Sequence, residues 1–399
     1  MTVAPTRDTG TAQPADDQAR PSLSRIWHGT RQFRPVLLLL VGLVLLLALT
    51  LPGFRSVANV QNLLSGVSVL WVVSLGMTFA LLSAGADLSV GALATLTGVI
   101  LAFLLGEHVP GWAAIVISVA VVTILGAVVN GLLIGIGRLS FFVVTLASMT
   151  TLTGVVNLWT QGQSTFVTDG LIIGIGAYQV AGLSLPVWIM VVTLALALWL
   201  QRFTYFGRDV YAVGGSPVAA KLSGIRTGRT LSAVYGLTAA CAALGGVITV
   251  GRIGVAVPNV DGNLPLAAIA AVLLGGTSLM GGVGGVGGTV LGVLFIGTLQ
   301  NGLSIAGLPS FWQQVVTGVI LVIAVLGDRL AHGSQAFRRV LGRWRPDSVA
   351  VPPQATAATN DEVFREGSET PTAAPPPASA QKPEPDPAQD PLGVPEGRR

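Results

Sequence analysis

Between Pro35 and Gly327 almost every stretch of roughly 17 to 25 residues is apolar enough to cross a bilayer. No soluble core could bury that many apolar surfaces, so this run fixes the class: an all-α polytopic membrane protein. Only 10% of the residues are charged, against roughly 25% in a soluble domain, and the mean hydropathy is +0.72.

Ten spans are expected, near 35–53, 57–84, 88–106, 111–137, 140–160, 185–201, 230–251, 264–280, 284–300 and 312–328. LIIGIGAYQV at 171–180 is too short to cross and reads as a re-entrant or interfacial piece. With the N-terminus inside, the inner loops hold Arg138, Arg202, Arg208, Lys221, Arg226 and Arg229, and only Arg55 and Arg252 fall outside. Arg25, Arg31, Arg34, Arg329, Arg338, Arg339, Arg343 and Arg345 flank the two ends. An excess of Lys and Arg in cytoplasmic loops orients membrane proteins, so both termini are expected in the cytoplasm. The net charge of +4 is therefore a topology signal and gives no reason to expect nucleic acid as a partner. Membrane lipid is the expected surroundings.

Residues 1–34 are polar, without a short apolar core and cleavage site, and read as a disordered cytoplasmic tail. The membrane-spanning body is expected over 35–329, with a basic and then Pro-rich disordered tail over 330–399. Cys241 is the only cysteine, so no internal disulfide can form, and His28, His108 and His332 are too dispersed to hold a metal. Glycine is abundant at 51 residues, and close helix packing explains most of it. Gly42, Gly76, Gly98, Gly126, Gly154, Gly236 and Gly318 each place a notch in a span.

The longest inner loop, 202–229, is basic and long enough for a short helix outside the membrane. Ser216-Pro217 is a helix start and Gly224 a stop. Between them Val218, Ala219, Ala220, Leu222 and Ile225 supply a small apolar surface suited to docking another protein. A plain surface loop held to lipid headgroups by its arginines is the simpler alternative.

VGGSPVAAKLSGI in this loop resembles the cytoplasmic coupling loop of bacterial ribose-type ABC importer permeases. GADLSVGALATLTG (85–98), NGLLIGIGRLSFFVVTLASM (130–149) and the segment 269–329 resemble the same family in the same order, so the likeness covers roughly 57–329. It departs at Ala267, where the family commonly carries an acidic residue. The resemblance implies a vitamin-B12-importer-like, type II architecture. It also implies a second permease copy (a homodimer), a cytoplasmic ATP-binding subunit and an extracytoplasmic sugar-binding protein. Gly214, Gly215, Ser216, Pro217, Ala219, Ala220, Lys221, Ser223 and Gly224 would couple to the ATPase. Five spans per half would make the second half inverted relative to the first.

Neither lysine, Lys221 or Lys382, sits in a G-x-x-x-x-G-K-[ST] loop. The chain is thus expected to be no enzyme and to bind no cofactor, with ATP and Mg used by the partner. Permeases for branched-chain amino acids or nucleosides are the alternative. An ion-coupled secondary transporter would want carboxylates inside the spans, and Asp87 is the one candidate. Asp87 reads either as a helix cap or as a pathway group. Ser89, Asn130, Phe141 and Thr145 are the other candidate pathway residues. GVGGVG at 282–287 fits a dinucleotide fingerprint but lacks the preceding strand, and no acidic residue follows until Asp328. It reads instead as a tight inner turn followed by a packing ridge through Gly284, Gly288 and Gly292.

Overall fold

The computed structural model describes residues 34–258 and 262–343. Most of the two expected tails lies outside the described residues. The chain divides into units Met1–Trp344 and Arg345–Arg399, of which the second falls wholly outside them.

Each of the ten apolar stretches contains a helix, although the expected span 264–280 is helical only as far as Leu274. In chain order they are α1 (Arg34–Thr50), α2 (Val57–Leu82), α3 (Val90–Gly106), α4 (Gly111–Gly135), α5 (Phe141–Thr160), α7 (Leu185–Phe203), α10 (Thr227–Ile253), α11 (Leu264–Leu274), α12 (Val286–Ile305) and α13 (Ser310–Arg343). Seven of them are long and apolar enough to cross a membrane, whereas α1, α3 and α11 are shorter. α13 runs past the expected boundary at 329, to Arg343. The 171–180 segment forms an eight-residue helix, α6 (Gly170–Ala177), because Asp169 accepts the Leu171 and Ile172 N–H groups at 3.0 and 3.1 Å. Between α7 and α10 lie two further helices, α8 (Tyr205–Gly215) and α9 (Pro217–Leu222).

Two sets of loops separate to opposite ends of the bundle. At one end, the start of the 83–89 turn, 136–140, 204–226 and 275–285 meet: the Gly282 N–H donates to Leu82 O at 2.9 Å, and Gly135 packs on the Gly228 backbone. At the other, Asn59 and Asn301 exchange side-chain hydrogen bonds. There too β1 (Thr165–Phe166) pairs antiparallel with β4 (Val255–Ala256). A second two-residue pair, β2 (Gln179–Val180) with β3 (Leu183–Ser184), closes the loop before α7.

The core gathers around α2, α3, α10 and α11, whose facing residues are almost all buried. Without a hydrophobic drive between helices in lipid, close approach must come from small residues, and α10 supplies them. An added Cβ on Gly76 would lie 2.9 Å from that of Cys241, and one on Gly246 would overlap the Ala94 carbonyl. Along α4, Gly126, Gly131 and Gly135 meet Ala239, Ser232 and Gly228 of α10. The expected notches at Gly76, Gly98, Gly126 and Gly236 are filled by neighbours, but Gly42, Gly154 and Gly318 have open space instead.

The expected glycine ridge is shorter than its spacing suggested. α11 ends at Leu274 and α12 begins at Val286, so Gly284 lies in the intervening turn at φ +119° and not on the helix. Its place against Thr277 leaves no room for a side chain. Gly288 and Gly292 do pack, against Gly275 and the Ala271 carbonyl, and let α11 and α12 run back to back.

Candidate functional site

The backbone between α2 and α3 does not continue as a helix. Residues 83–89 turn back into the bundle, mostly buried, before α3 starts. Non-helical backbone at membrane depth is tolerated only when protein surrounds it and its polar groups are satisfied. Asp87 satisfies one of them here, the Ser89 N–H, and its side chain is fully buried. Oδ1 accepts the Ser89 N–H at 2.9 Å and the Ser89 hydroxyl at 2.5 Å, while Oδ2 accepts the Thr238 hydroxyl at 2.7 Å. Thr238 stands eleven residues into α10, roughly 16 Å along it at 1.5 Å per residue. The carboxylate is therefore deep in the bundle.

The network continues through Asn130, which donates to Ser89 Oγ at 2.8 Å and accepts from Ser148 Oγ at 2.5 Å. Asn130 sits on a π-turn, Ala127–Gly131, inside α4. Such turns insert one extra residue and re-aim the side chains around it. One polar chain thus ties together α3, α4, α5 and α10. Tyr235, also on α10 and buried, places its hydroxyl 3.5 Å from the Ala86 carbonyl.

Of the five candidate pathway residues, the fold joins Asp87, Ser89 and Asn130 directly. Thr145 is buried, and its hydroxyl turns back on the Phe141 carbonyl at 2.8 Å. Phe141 packs with Ile134, Val144 and Tyr235. It also lines a cleft of about 870 Å³ at the loop end of the bundle, together with Arg138, Lys221 and Tyr235. Sequence reasoning did not single out Ser148 or Thr238, whose partners lie 18 and 151 residues away.

The second group is the platform formed by α8, α9 and the glycine turn. Thr204 caps α8 by accepting the Gly207 N–H at 3.1 Å, and Ser216 caps α9 by accepting the Ala219 N–H at 3.3 Å. Pro217 occupies the first turn of α9, where its missing N–H costs nothing. Gly224, at φ +85°, ends the element, its N–H donating to Lys221 O at 3.1 Å. Ala220 faces inward, whereas Val218, Ala219, Lys221, Leu222, Ser223 and Gly224 are exposed. Val218 at 72% and Leu222 at 84% exposure are large apolar side chains left without cover. A Cβ on Gly215 would meet nothing within 4 Å, but Gly214 is wedged between the Leu82 carbonyl and the Gly282 nitrogen.

Beneath α8 runs a bonded strip that the loop's basic composition concealed. Gln201, near the end of α7, donates through Nε2 to the Tyr211 hydroxyl at 2.6 Å, and Tyr211 donates to Gly284 O at 2.7 Å. Gln201 Oε1 also accepts the Val286 N–H at 3.0 Å, one of the donors a helix start leaves free. Burial pushes the Tyr211 hydroxyl above its ordinary range, despite the opposing effects of Gln201 and the Arg202 charge, so it remains a protonated donor. On the far side of the turn, Asp328 of α13 accepts the Leu279 N–H at 3.2 Å and the Ser278 hydroxyl at 3.3 Å.

A family model described as branched-chain amino acid transport system / permease component matches residues 59–325. The chain is 37% identical over 293 residues to the ribose import permease protein RbsC of Haemophilus influenzae, covering 72% of this chain and 90% of that one. To the ribose import permease protein RbsC of Bacillus subtilis it is 40% identical over 296 residues, covering 72% and 89%. To the L-arabinose ABC transporter permease protein AraH of Azospirillum brasilense it is 31% identical over 334 residues, covering 82% and 97%. No solved structure matches the chain.

Proposed function

The chain belongs to the family of branched-chain amino acid transport system permease components, and from that premise we propose how it works as the multi-pass membrane subunit of an ATP-driven sugar importer. The observation that carries the reading is α9: a capped helix of one and a half turns, exposed on Val218 and Leu222, presented beside a basic segment. An uncovered apolar pair on a capped helix outside the spans suits a protein partner. A cytoplasmic ATP-binding subunit fits, and it would supply the ATP and Mg chemistry for which this chain has no phosphate-binding lysine loop. The loop end that carries Arg138, Arg202, Arg208, Lys221, Arg226 and Arg229 then faces the cytoplasm, with both termini on that side.

The cargo is a neutral pentose or hexose, in keeping with relatives named for ribose and L-arabinose. The interior chemistry supports this over an amino acid. Among the described residues the deep polar groups are hydroxyls and an amide, and the one deep carboxylate, Asp87, already holds three hydrogen bonds. A zwitterion would need counter-charges on both its ends.

Most exposed faces of the spans are apolar and suit lipid, but α5 exposes Thr150, Thr151, Gly154 and Asn157. Thr150 and Asn157 bond back to the Leu146 and Thr153 carbonyls, yet a polar stripe of this extent favours a wet or protein-covered environment over lipid. We therefore read this face of α5 as turned toward a second copy of the chain, with the sugar path between the two. An extracytoplasmic binding protein delivers the sugar, and ATP-driven closure of the partner subunits moves α9 and opens the path alternately to each side.

The test is uptake in sealed vesicles containing the permease, the ATP-binding subunit and the binding protein, with labelled D-ribose and L-arabinose as probes. Uptake should require internal-side ATP and all three components. Uptake that persists on an ion gradient, without ATP or the ATP-binding subunit, would overturn the reading.

A further inference from the structure

We propose that Tyr211 and Gln201 form a strut that carries displacement of the docking helix α9 to the glycine turn 275–285 and so to α12 and α13. This rests on the reading that α9 receives an ATP-driven subunit; it adds the route by which that motion enters the membrane. α8 and α9 are joined by the single residue Ser216, which caps α9, so the two move together. α8 is seated on the bundle by Phe206, stacked on Phe79, and by the buried Val210, and it reaches the glycine turn through two contacts of different kinds.

One contact is steric. Gly214 lies against Leu82 O and the Gly282 nitrogen, and the Gly282 N–H donates to that same Leu82 carbonyl at 2.9 Å. The other is a chain of directed hydrogen bonds from Gln201 to Tyr211 to Gly284, with Gln201 also holding the Val286 N–H. Its effect is that one hydroxyl and one amide join α8 to the end of α7 and the start of α12. The turn they hold is bonded on its other side to Asp328 of α13. Pushing α8 therefore pushes the turn, and the turn has α12 and α13 behind it.

Directed bonds transmit a displacement only while their partners stay paired. Tyr211→Phe removes the shared hydroxyl and keeps the ring, and Gln201→Leu removes both amide contacts. Neither residue belongs to the exposed docking face. Both are positioning residues, acting through the turn and not on the sugar.

The experiment uses the full permease complex with its ATP-binding partner. A reporter cysteine replaces Gly287 in a Cys241→Ser background. Gly287 is exposed near the start of α12, and a Cβ there meets nothing within 4 Å. The rate of maleimide labelling is compared without nucleotide and after trapping with ATP and vanadate.

With Tyr211 intact, trapping should change the rate roughly threefold or more, the size expected for a coupled element. In Tyr211→Phe and Gln201→Leu that response should vanish, while partner co-purification and vanadate trapping remain as in the parent. A merely structural defect would alter both nucleotide states alike and would lower trapping. A full response in Tyr211→Phe, or none in the parent despite trapping, overturns the strut. Failure of any ATP-binding subunit to co-purify overturns the underlying reading instead, and is visible before labelling begins.

Discussion

Gly214 and Gly215 are neighbours in sequence with opposite surroundings, and the difference makes a sharp test. An alanine Cβ at 214 would overlap the Leu82 carbonyl oxygen and lie 2.8 Å from the Gly282 nitrogen. Restoring ordinary contact needs α8 to move away from α2 by roughly 1.5 Å, since carbon atoms reach optimal separation only near 3.5–4.0 Å. Such overpacking costs about 1–3 kcal/mol. Spreading the two elements also strains the Gly282 N–H to Leu82 bond, for about 1 kcal/mol more. The sum, about 2–4 kcal/mol, corresponds to a fall in midpoint of about 4–8 °C at about 2 °C per kcal/mol.

At Gly215 a Cβ meets nothing within 4 Å, so Gly215→Ala should leave the midpoint unchanged or raise it slightly. The assay is thermal unfolding of the detergent-purified permease, followed for each variant by ATP-dependent uptake in vesicles. Gly214→Ala should lose both stability and most uptake, and Gly215→Ala neither. Equal midpoints for the two alanine variants would refute the argument that α8 is seated by the absence of a single carbon.

Two further outcomes follow from the deep network and from α5. Asp87→Ala leaves the Ser89 N–H and hydroxyl facing a void at about 1–3 kcal/mol for each unsatisfied donor. It should abolish uptake and destabilise the protein, whereas Asp87→Asn keeps an acceptor and should be milder by calorimetry and transport; equal losses would show that the bonding does not matter. Gly154→Cys in a Cys241→Ser background should form an oxidant-induced disulfide between copies, seen as a doubled mass on a non-reducing gel. A chain that stays single under oxidation would argue against α5 facing its second copy.

Much of the fold was legible in the sequence because a bilayer imposes a local rule. Each span must be a long apolar helix, so composition over twenty residues is enough to find most of them. The start and stop of α9 were equally local, since Ser216, Pro217 and Gly224 act on neighbours three or four residues away. What remained hidden depends on distant partners. Nothing near Tyr211 marks it as bonded to Gly284, 73 residues on. Asp87 carried a local signal, its Asx-like bond to Ser89, but the Thr238 contact that buries it comes from another helix. Gly284 misled for a related reason: its four-residue spacing from Gly288 suited a helix, whereas the turn conformation it adopts is set by Thr277 packed against it.

The glycines at which α4, α10 and α12 meet their neighbours have a consequence for how this chain tolerates change. In a side-chain-filled core a residue can shrink at some cost or be exchanged for one of similar volume. Gly126, Gly131, Gly135, Gly246 and Gly292 have nothing smaller to become, and any replacement meets backbone or a Cβ that is itself fixed. Substitution there runs in one direction only, toward overlap. A saturation scan of the permease should therefore find its least mutable positions among its smallest side chains, spaced along helices whose lipid-facing leucines and valines exchange freely.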